Sequence, residues 1–140
     1  MRQIPDIIKS AVILVFIEQA LVLSYLRKPH FILAGLFFIE GNYATLLIIV
    51  LSFAIIYIGY RIIRQQKKAY RMTRYLSMFF ILNSLINLIA MIFISSDMAG
   101  FLTRIFGEDV FSGFVFIQIL FLLTSLGLFI TIKRSRNVLN

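Results

Sequence analysis

Apolar positions in this chain fall into four long runs, separated by short segments where charge and glycine gather. The runs are Ile7 to Leu26, Asn42 to Ile63, Tyr75 to Ile94 and Gly113 to Ile132. A helix needs about 20 apolar residues to cross about 30 Å of hydrocarbon, and each run reaches that length. The runs lack the polar alternation of barrel strands, and lipid leaves an open strand's backbone groups unsatisfied. The pattern predicts an all-α integral membrane protein, a four-transmembrane-helix bundle, with residues 1–140 forming a single membrane domain.

The connections carry patterns of their own. Pro29 to Gly41 is too short to span a membrane and too apolar to hang in water, which predicts an interfacial or shallow re-entrant helix. Met98 to Phe111 places Phe101, Leu102, Ile105 and Phe106 at helical spacing and predicts a second short helix. Both would lie at the same end of the bundle and cap it. No internal repeat or low-complexity tract interrupts the chain.

Composition agrees with lipid as the solvent. Hydrophobic residues make up 61% and charged residues 14% of the chain, whereas soluble domains carry roughly 25% charged residues. A core of this size cannot hide so large an apolar surplus. Glu18 and Gln19 interrupt the first run and no small-x-small cleavage pattern follows Leu26, so that run is expected to be a retained helix, not a removed leader.

Charge sets the expected orientation. Four crossings put the N-terminus, the second loop and the C-terminus on one side. That side holds Arg2, Lys9, Arg61, Arg64, Lys67, Lys68, Arg71, Arg74, Lys133, Arg134 and Arg136 against the single acid Asp6. The other side holds Arg27, Lys28 and Arg104 against Glu40, Asp97, Glu108 and Asp109. The positive-inside rule then predicts a multi-pass protein of the cell (inner or plasma) membrane with cytoplasmic N- and C-termini. Tyr25 and Tyr43 are expected at the outer interface, and Tyr57, Tyr60, Tyr70 and Tyr75 at the inner one.

Polar residues within the runs are the candidate functional groups. Glu18 sits near the middle of the first, where a carboxylate costs roughly 2.5 kcal/mol or more. No Lys, Arg or His lies within the hydrocarbon part of any run. Glu18 must therefore be protonated, face a wet cavity, or meet a cationic ligand or another subunit. Asn83 and Asn87 share a helix face in the third run, with Ser84 beside them, and the fourth run carries Gln118, Thr124 and Ser125. At 1.5 Å per residue, Glu18 and Asn87 lie about 12 Å and Gln118 about 7–8 Å below the outer ends. Glu18, Gln19, Asn83, Asn87 and Gln118 are thus expected to converge in the outer half, as interhelical glue, as a proton or cation site, or as part of a subunit interface.

The basic second loop, Arg61, Arg64, Lys67, Lys68, Arg71 and Arg74, is first a topological signal. Its functional reading is contact with anionic lipid headgroups. It is short and held against the membrane, so no nucleic-acid partner is expected. His30 is expected to be an ordinary exposed interfacial side chain.

No enzyme chemistry emerges. The chain has no Cys and only one His, so thiolate chemistry and histidine-ligated metal or haem sites are not expected, and no cofactor is assigned. No serine has a partnered base, and the glycines form no phosphate-binding loop. Glu18 in the first of four spans resembles the small multidrug-resistance transporters in that residue and in span count alone. Those proteins are shorter and lack a second loop this long and basic, so no residue role carries over.

The sequence therefore predicts a small non-enzymatic membrane protein acting by association with lipids and with another membrane subunit or a second copy of itself. Accessory, regulatory and immunity-type roles all fit. The alternative is a small proton- or cation-coupled transporter that uses Glu18.

Overall fold

The computed structural model describes residues 5–109 and 111–137; Arg2, counted above for orientation, lies outside them. Helix α1 covers Asp6–Ser24 and continues as a 3₁₀ turn, Tyr25–Arg27. Strands β1 (His30–Leu33) and β2 (Phe37–Glu40) follow, then α2 (Gly41–Ile63), α3 (Lys67–Ile92) and α4 (Ser96–Phe106). A π-helical turn, Phe111–Val115, leads into α5, Phe116–Arg134. Four of these helices are long and apolar enough to cross a membrane: Asp6–Arg27, Gly41–Ile63, Lys67–Ile92 and Gly113–Arg134.

The third of these begins eight residues before the apolar run. Lys, Arg, Met and Ala are good helix formers, so the basic stretch from Lys67 to Arg74 is the first two turns of α3, not a loop. The turn between α2 and α3 shrinks to Arg64–Gln66, with Gln65 in the left-handed region at φ 52°. The amides of Arg64 and Gln66 close it on the carbonyls of Tyr60 and Arg61.

α1 packs against α2 and α5, and α5 packs most extensively against α3. Buried positions on α1 fall at Ala11, Val15, Glu18 and Val22, followed by Tyr25. On α5 they include Gln118, Phe121, Ser125, Leu128 and Ile132. Both sets step alternately by three and four, the seam that favours near-parallel or antiparallel helix packing.

The segment after Pro29 departs from the sequence expectation. It is an antiparallel β-hairpin, not a helix: His30 pairs with Glu40, Phe31 with Ile39, Ile32 with Phe38 and Leu33 with Phe37. Periodicity cannot separate strand from helix in so short an apolar run. Local chemistry decides, because Phe and Ile favour strands and Ala34 and Gly35 turn the chain with φ of 52° and 66°. The register leaves Ala34, Gly35 and Leu36 as the loop, closed by the Leu36 amide on the Leu33 carbonyl at 3.2 Å. The hairpin touches both α2 and α3, which contact each other least of the neighbouring long-helix pairs. It fills the space between them at the outer end.

The second connection folds as a short helix, α4, over Ser96–Phe106, where Met98 to Phe111 is the range expected from sequence. Ser95 Oγ caps it by accepting from the Met98 amide at 3.1 Å. Met98, Phe101 and Leu102 are buried, and Ile105 and Phe106 are half-buried. With Ile32, Met91 and Phe114 they form a small apolar cluster closing the outer end of the bundle. The larger core runs along the four long helices.

Gly35 is the tightest point of the hairpin. A Cβ there would stand 2.7 Å from Ala90 Cβ. Gly41, at φ 67°, has open space around it. Gly35→Val is expected to destabilise the protein by about 1–3 kcal/mol through overpacking, beyond its backbone strain. Gly41→Ala should cost only the left-handed strain of about 1–2 kcal/mol. Thermal unfolding in detergent of the two variants checks the order.

Candidate functional site: two polar layers in the bundle

The outer layer is built on the asparagine pair of α3. Asn83 Oδ1 accepts from the Ala34 amide and Asn87 Oδ1 from the Gly35 amide, both at 2.8 Å. Asn83 Nδ2 and Asn87 Nδ2 both donate to the Ile32 carbonyl, at 3.1 and 3.0 Å. Asn87 Nδ2 also lies 3.3 Å from Gln118 Oε1, and Gln118 Nε2 donates to Tyr25 Oη at 3.2 Å. One chain of hydrogen bonds thus links the hairpin tip, α3, α5 and the end of α1. Asn87 is 0% and Gln118 3% exposed. In so dry a place each unmade hydrogen bond would cost far more than the bond is worth in water.

Tyr25 belongs to this site and faces the protein interior. It is buried, and its ring stacks on Phe121 with centroids 5.9 Å apart and meets His30 edge-on at 4.8 Å. A readable signal was its seven-residue spacing from Glu18, which puts both on one face of α1.

The inner layer holds the carboxylate. Glu18 is fully buried, and its Oε1 accepts from Ser125 Oγ at 2.6 Å. Glu18 Oε2 has no hydrogen-bond partner among the described residues. Tyr25–Gln118 and Glu18–Ser125 are two rungs of one antiparallel register between α1 and α5, seven residues apart on each helix and therefore about 10 Å apart in depth. Val22 and Phe121, both buried, fall between the rungs.

Of the five residues expected to converge, the structure joins Asn83, Asn87 and Gln118. It sets Glu18 one layer deeper, on Ser125. Gln19 enters neither set of hydrogen bonds; its Oε1 is buried without a partner among the described residues. Three further hydroxyls not singled out from sequence, Ser52, Thr73 and Ser77, are likewise buried and unpartnered there. Among the described residues no three His, Cys, Asp or Glu side chains gather as a metal site would require.

The basic residues of the second turn divide. Arg61 bonds to Tyr57 and Gln66 and lies over the Tyr57 ring. Arg64 lies over Tyr60. Lys67, Lys68, Arg71 and Arg74 are exposed along the start of α3.

His30 corrects a second expectation. It is 4% exposed, not an open interfacial side chain, because the hairpin folds it under Phe106 and Tyr25. Its Nδ1 lies 2.6 Å from the Lys28 carbonyl. That contact puts the ring proton on Nδ1, and burial holds the His30 pKa below its ordinary value of 6.5 despite that bond.

The chain matches no protein-family model, no curated protein and no solved structure. The class that fold and site define is accordingly a helical bundle with four potential membrane-spanning helices and a hairpin latched by side-chain amides.

Two outcomes follow. Asn87→Ala strands the Gly35 amide and should destabilise the protein by about 1–3 kcal/mol. The native chain has no cysteine, so a lone Leu36→Cys reports the hairpin tip cleanly, and its maleimide labelling should accelerate when Asn87→Ala is added. His30 titrates with the opposite sign to a salt-bridged base. Its folded pKa is depressed, so its contribution is present above pH 6.5 and is lost as pH falls below it. Detergent melting temperatures between pH 7.5 and 5 should fall more steeply for the native chain than for His30→Phe.

Proposed function

We propose that this chain crosses the cell membrane four times, with both termini cytoplasmic, and acts by association, not catalysis. It would serve as an accessory subunit, a small regulator or an immunity-type protein, bound to another membrane subunit or to a second copy of itself. One observation carries this reading: most of the polar side chains of the outer layer are consumed in fixing the protein's own hairpin. Asn83, Asn87, Gln118 and Tyr25 satisfy one another and the backbone of Ile32, Ala34 and Gly35. A transport path needs polar groups that exchange partners with a passing solute, and these are already engaged. What remains for function is the surface.

The eleven-to-one balance of basic over acidic residues at one end supports the orientation. The hairpin and α4 lie at the opposite end, where Arg104 pairs with Glu40 at 3.3 Å. The basic residues Arg61, Arg64, Lys67, Lys68, Arg71 and Arg74 would then meet anionic headgroups, at about 1 kcal/mol each near the surface.

A proton- or cation-coupled transporter is the second reading, favoured by a different observation. Glu18 is fully buried and one of its oxygens has no partner among the described residues. A side chain that served only to accept from Ser125 would not need a second oxygen. Glu18→Gln separates the two readings, because it keeps the acceptor and loses the titration. On the association reading, mild-detergent pull-downs of Glu18→Gln recover the same partner or the same oligomer as the native chain. On the transport reading, pH-driven uptake into proteoliposomes is lost while assembly is unchanged.

A further inference from the structure

We infer that the inner ends of α3 and α5 form a binding site for the phosphate of an anionic phospholipid headgroup, made by Arg74, Lys133 and Arg136 around Tyr70. The site is a cleft of about 220 Å³ lined by Tyr70, Arg74, Phe129, Ile132, Lys133 and Arg136. It shares Arg74 with the exposed basic row at the start of α3, but two of its three cations, Lys133 and Arg136, come from the other end of the chain. It rests on the membrane placement proposed above and not on the association role.

Sequence builds the site from helical spacing. Tyr70 and Arg74 are four apart in the opening turns of α3 and so share a face. Phe129, Ile132, Lys133 and Arg136 step by three and four at the end of α5 and the 3₁₀ turn that follows it. α3 and α5 pack against each other along their length, which brings these two faces together at the basic end.

Three features fit a phosphate. First, three cations line one small cleft with no acid among its lining residues. The described acid at this end of the bundle, Asp6, is bonded to Lys9 at 2.8 Å. Like charges held together repel, and a bound anion removes that repulsion. Second, Arg136 is steadied before any ligand arrives, its guanidinium 5.8 Å from the centre of the Tyr70 ring. A preordered guanidinium presents paired N–H donors that match phosphate oxygens. Third, Phe129 and Ile132 supply an apolar wall beside the cations. A free inorganic anion has no use for such a wall, whereas the glycerol and first methylenes of a lipid do. Basic pockets between spanning helices on the cytoplasmic side are suited to acidic headgroups on general electrostatic grounds.

The test uses the full chain in mild detergent, with phosphatidylglycerol or phosphatidylcholine added at equal concentration and bound lipid counted by native mass spectrometry. The native chain should retain phosphatidylglycerol in preference to phosphatidylcholine. Arg74→Gln/Lys133→Gln/Arg136→Gln should reduce that retention about tenfold or more. Lys67→Gln/Lys68→Gln/Arg71→Gln removes the same charge from the exposed row and should reduce it less than about twofold. Equal losses in the two triple variants would mean diffuse attraction and would overturn the site, as would equal retention of the two lipids. Displacement of phosphatidylglycerol by millimolar inorganic phosphate would overturn the lipid assignment in favour of a free anion. Single variants guard against misfolding: Arg136 is exposed, so Arg136→Gln should lower retention with helix content unchanged by circular dichroism, and Arg136→Lys should keep more of it. Dispersion of the chain in buffer without detergent is the separate readout that would defeat the membrane placement itself.

Discussion

Two asparagine side chains take the place of a missing third strand, and the outer half of the molecule depends on them. A two-stranded hairpin leaves the outer edge of each strand with unpaired amides and carbonyls, and such an edge is unfavourable away from water. Here the free edge of β1 meets α3, which cannot offer backbone groups because its own are used within the helix. Asn83 and Asn87 solve this with side-chain amides, each carrying one acceptor and one donating nitrogen in the geometry of a peptide unit. Spaced one helical turn apart, they reach the successive amides of Ala34 and Gly35 and share the Ile32 carbonyl. The absence of a Cβ at Gly35 lets the turn approach Ala90 closely enough for those bonds to form.

That latch has consequences at both sides. Toward the bundle axis, Asn87 passes the network to Gln118 and then to Tyr25, so the end of α1 and the start of α5 are set by the same bonds that hold the hairpin. Toward the outer surface, the fixed hairpin presents Ile32 to α4, and Ile32 joins Met98, Phe101 and Leu102 in the closing cluster. The seating of α4, the burial of His30 and the filling of the space between α2 and α3 all follow from the hairpin's position. An apolar bundle alone would not fix it, since apolar contacts carry no direction.

The sequence displayed the four long helices plainly, because uninterrupted apolar runs of that length are read as helices from length and content alone. It also displayed the asparagine pair, through four-residue spacing. It did not display what those residues hold. Phe31 to Ile39 has the apolar content of either a short helix or a hairpin, and the choice is made by Ala34 and Gly35 adopting positive φ, which composition does not encode. The start of α3 was hidden for another reason: charge marked the membrane boundary, and a helix does not need to stop there. The residue type of His30 suggests an exposed interfacial side chain. Its burial comes from the hairpin folding it under Phe106 and Tyr25, a tertiary event with no local signature. The register that joins Tyr25 to Gln118 and Glu18 to Ser125 was legible in principle, because both pairs repeat at seven residues along an alternating three-and-four seam.

Within that register the two rungs are not chemically alike. At the outer rung every choice is explained by bonding: an amide serves both Asn87 and Tyr25, and a phenol both stacks on Phe121 and accepts from the amide. At the inner rung a serine hydroxyl needs one acceptor, which a Gln or a second Ser would supply at a fraction of a carboxylate's desolvation cost. Glu18 uses one oxygen for that purpose and leaves the other without a partner among the described residues. Stability of the bundle therefore accounts for a polar residue at position 18 and for its facing inward toward Ser125, but not for its being an acid. The acid at position 18 is the feature on which the association and transport readings differ.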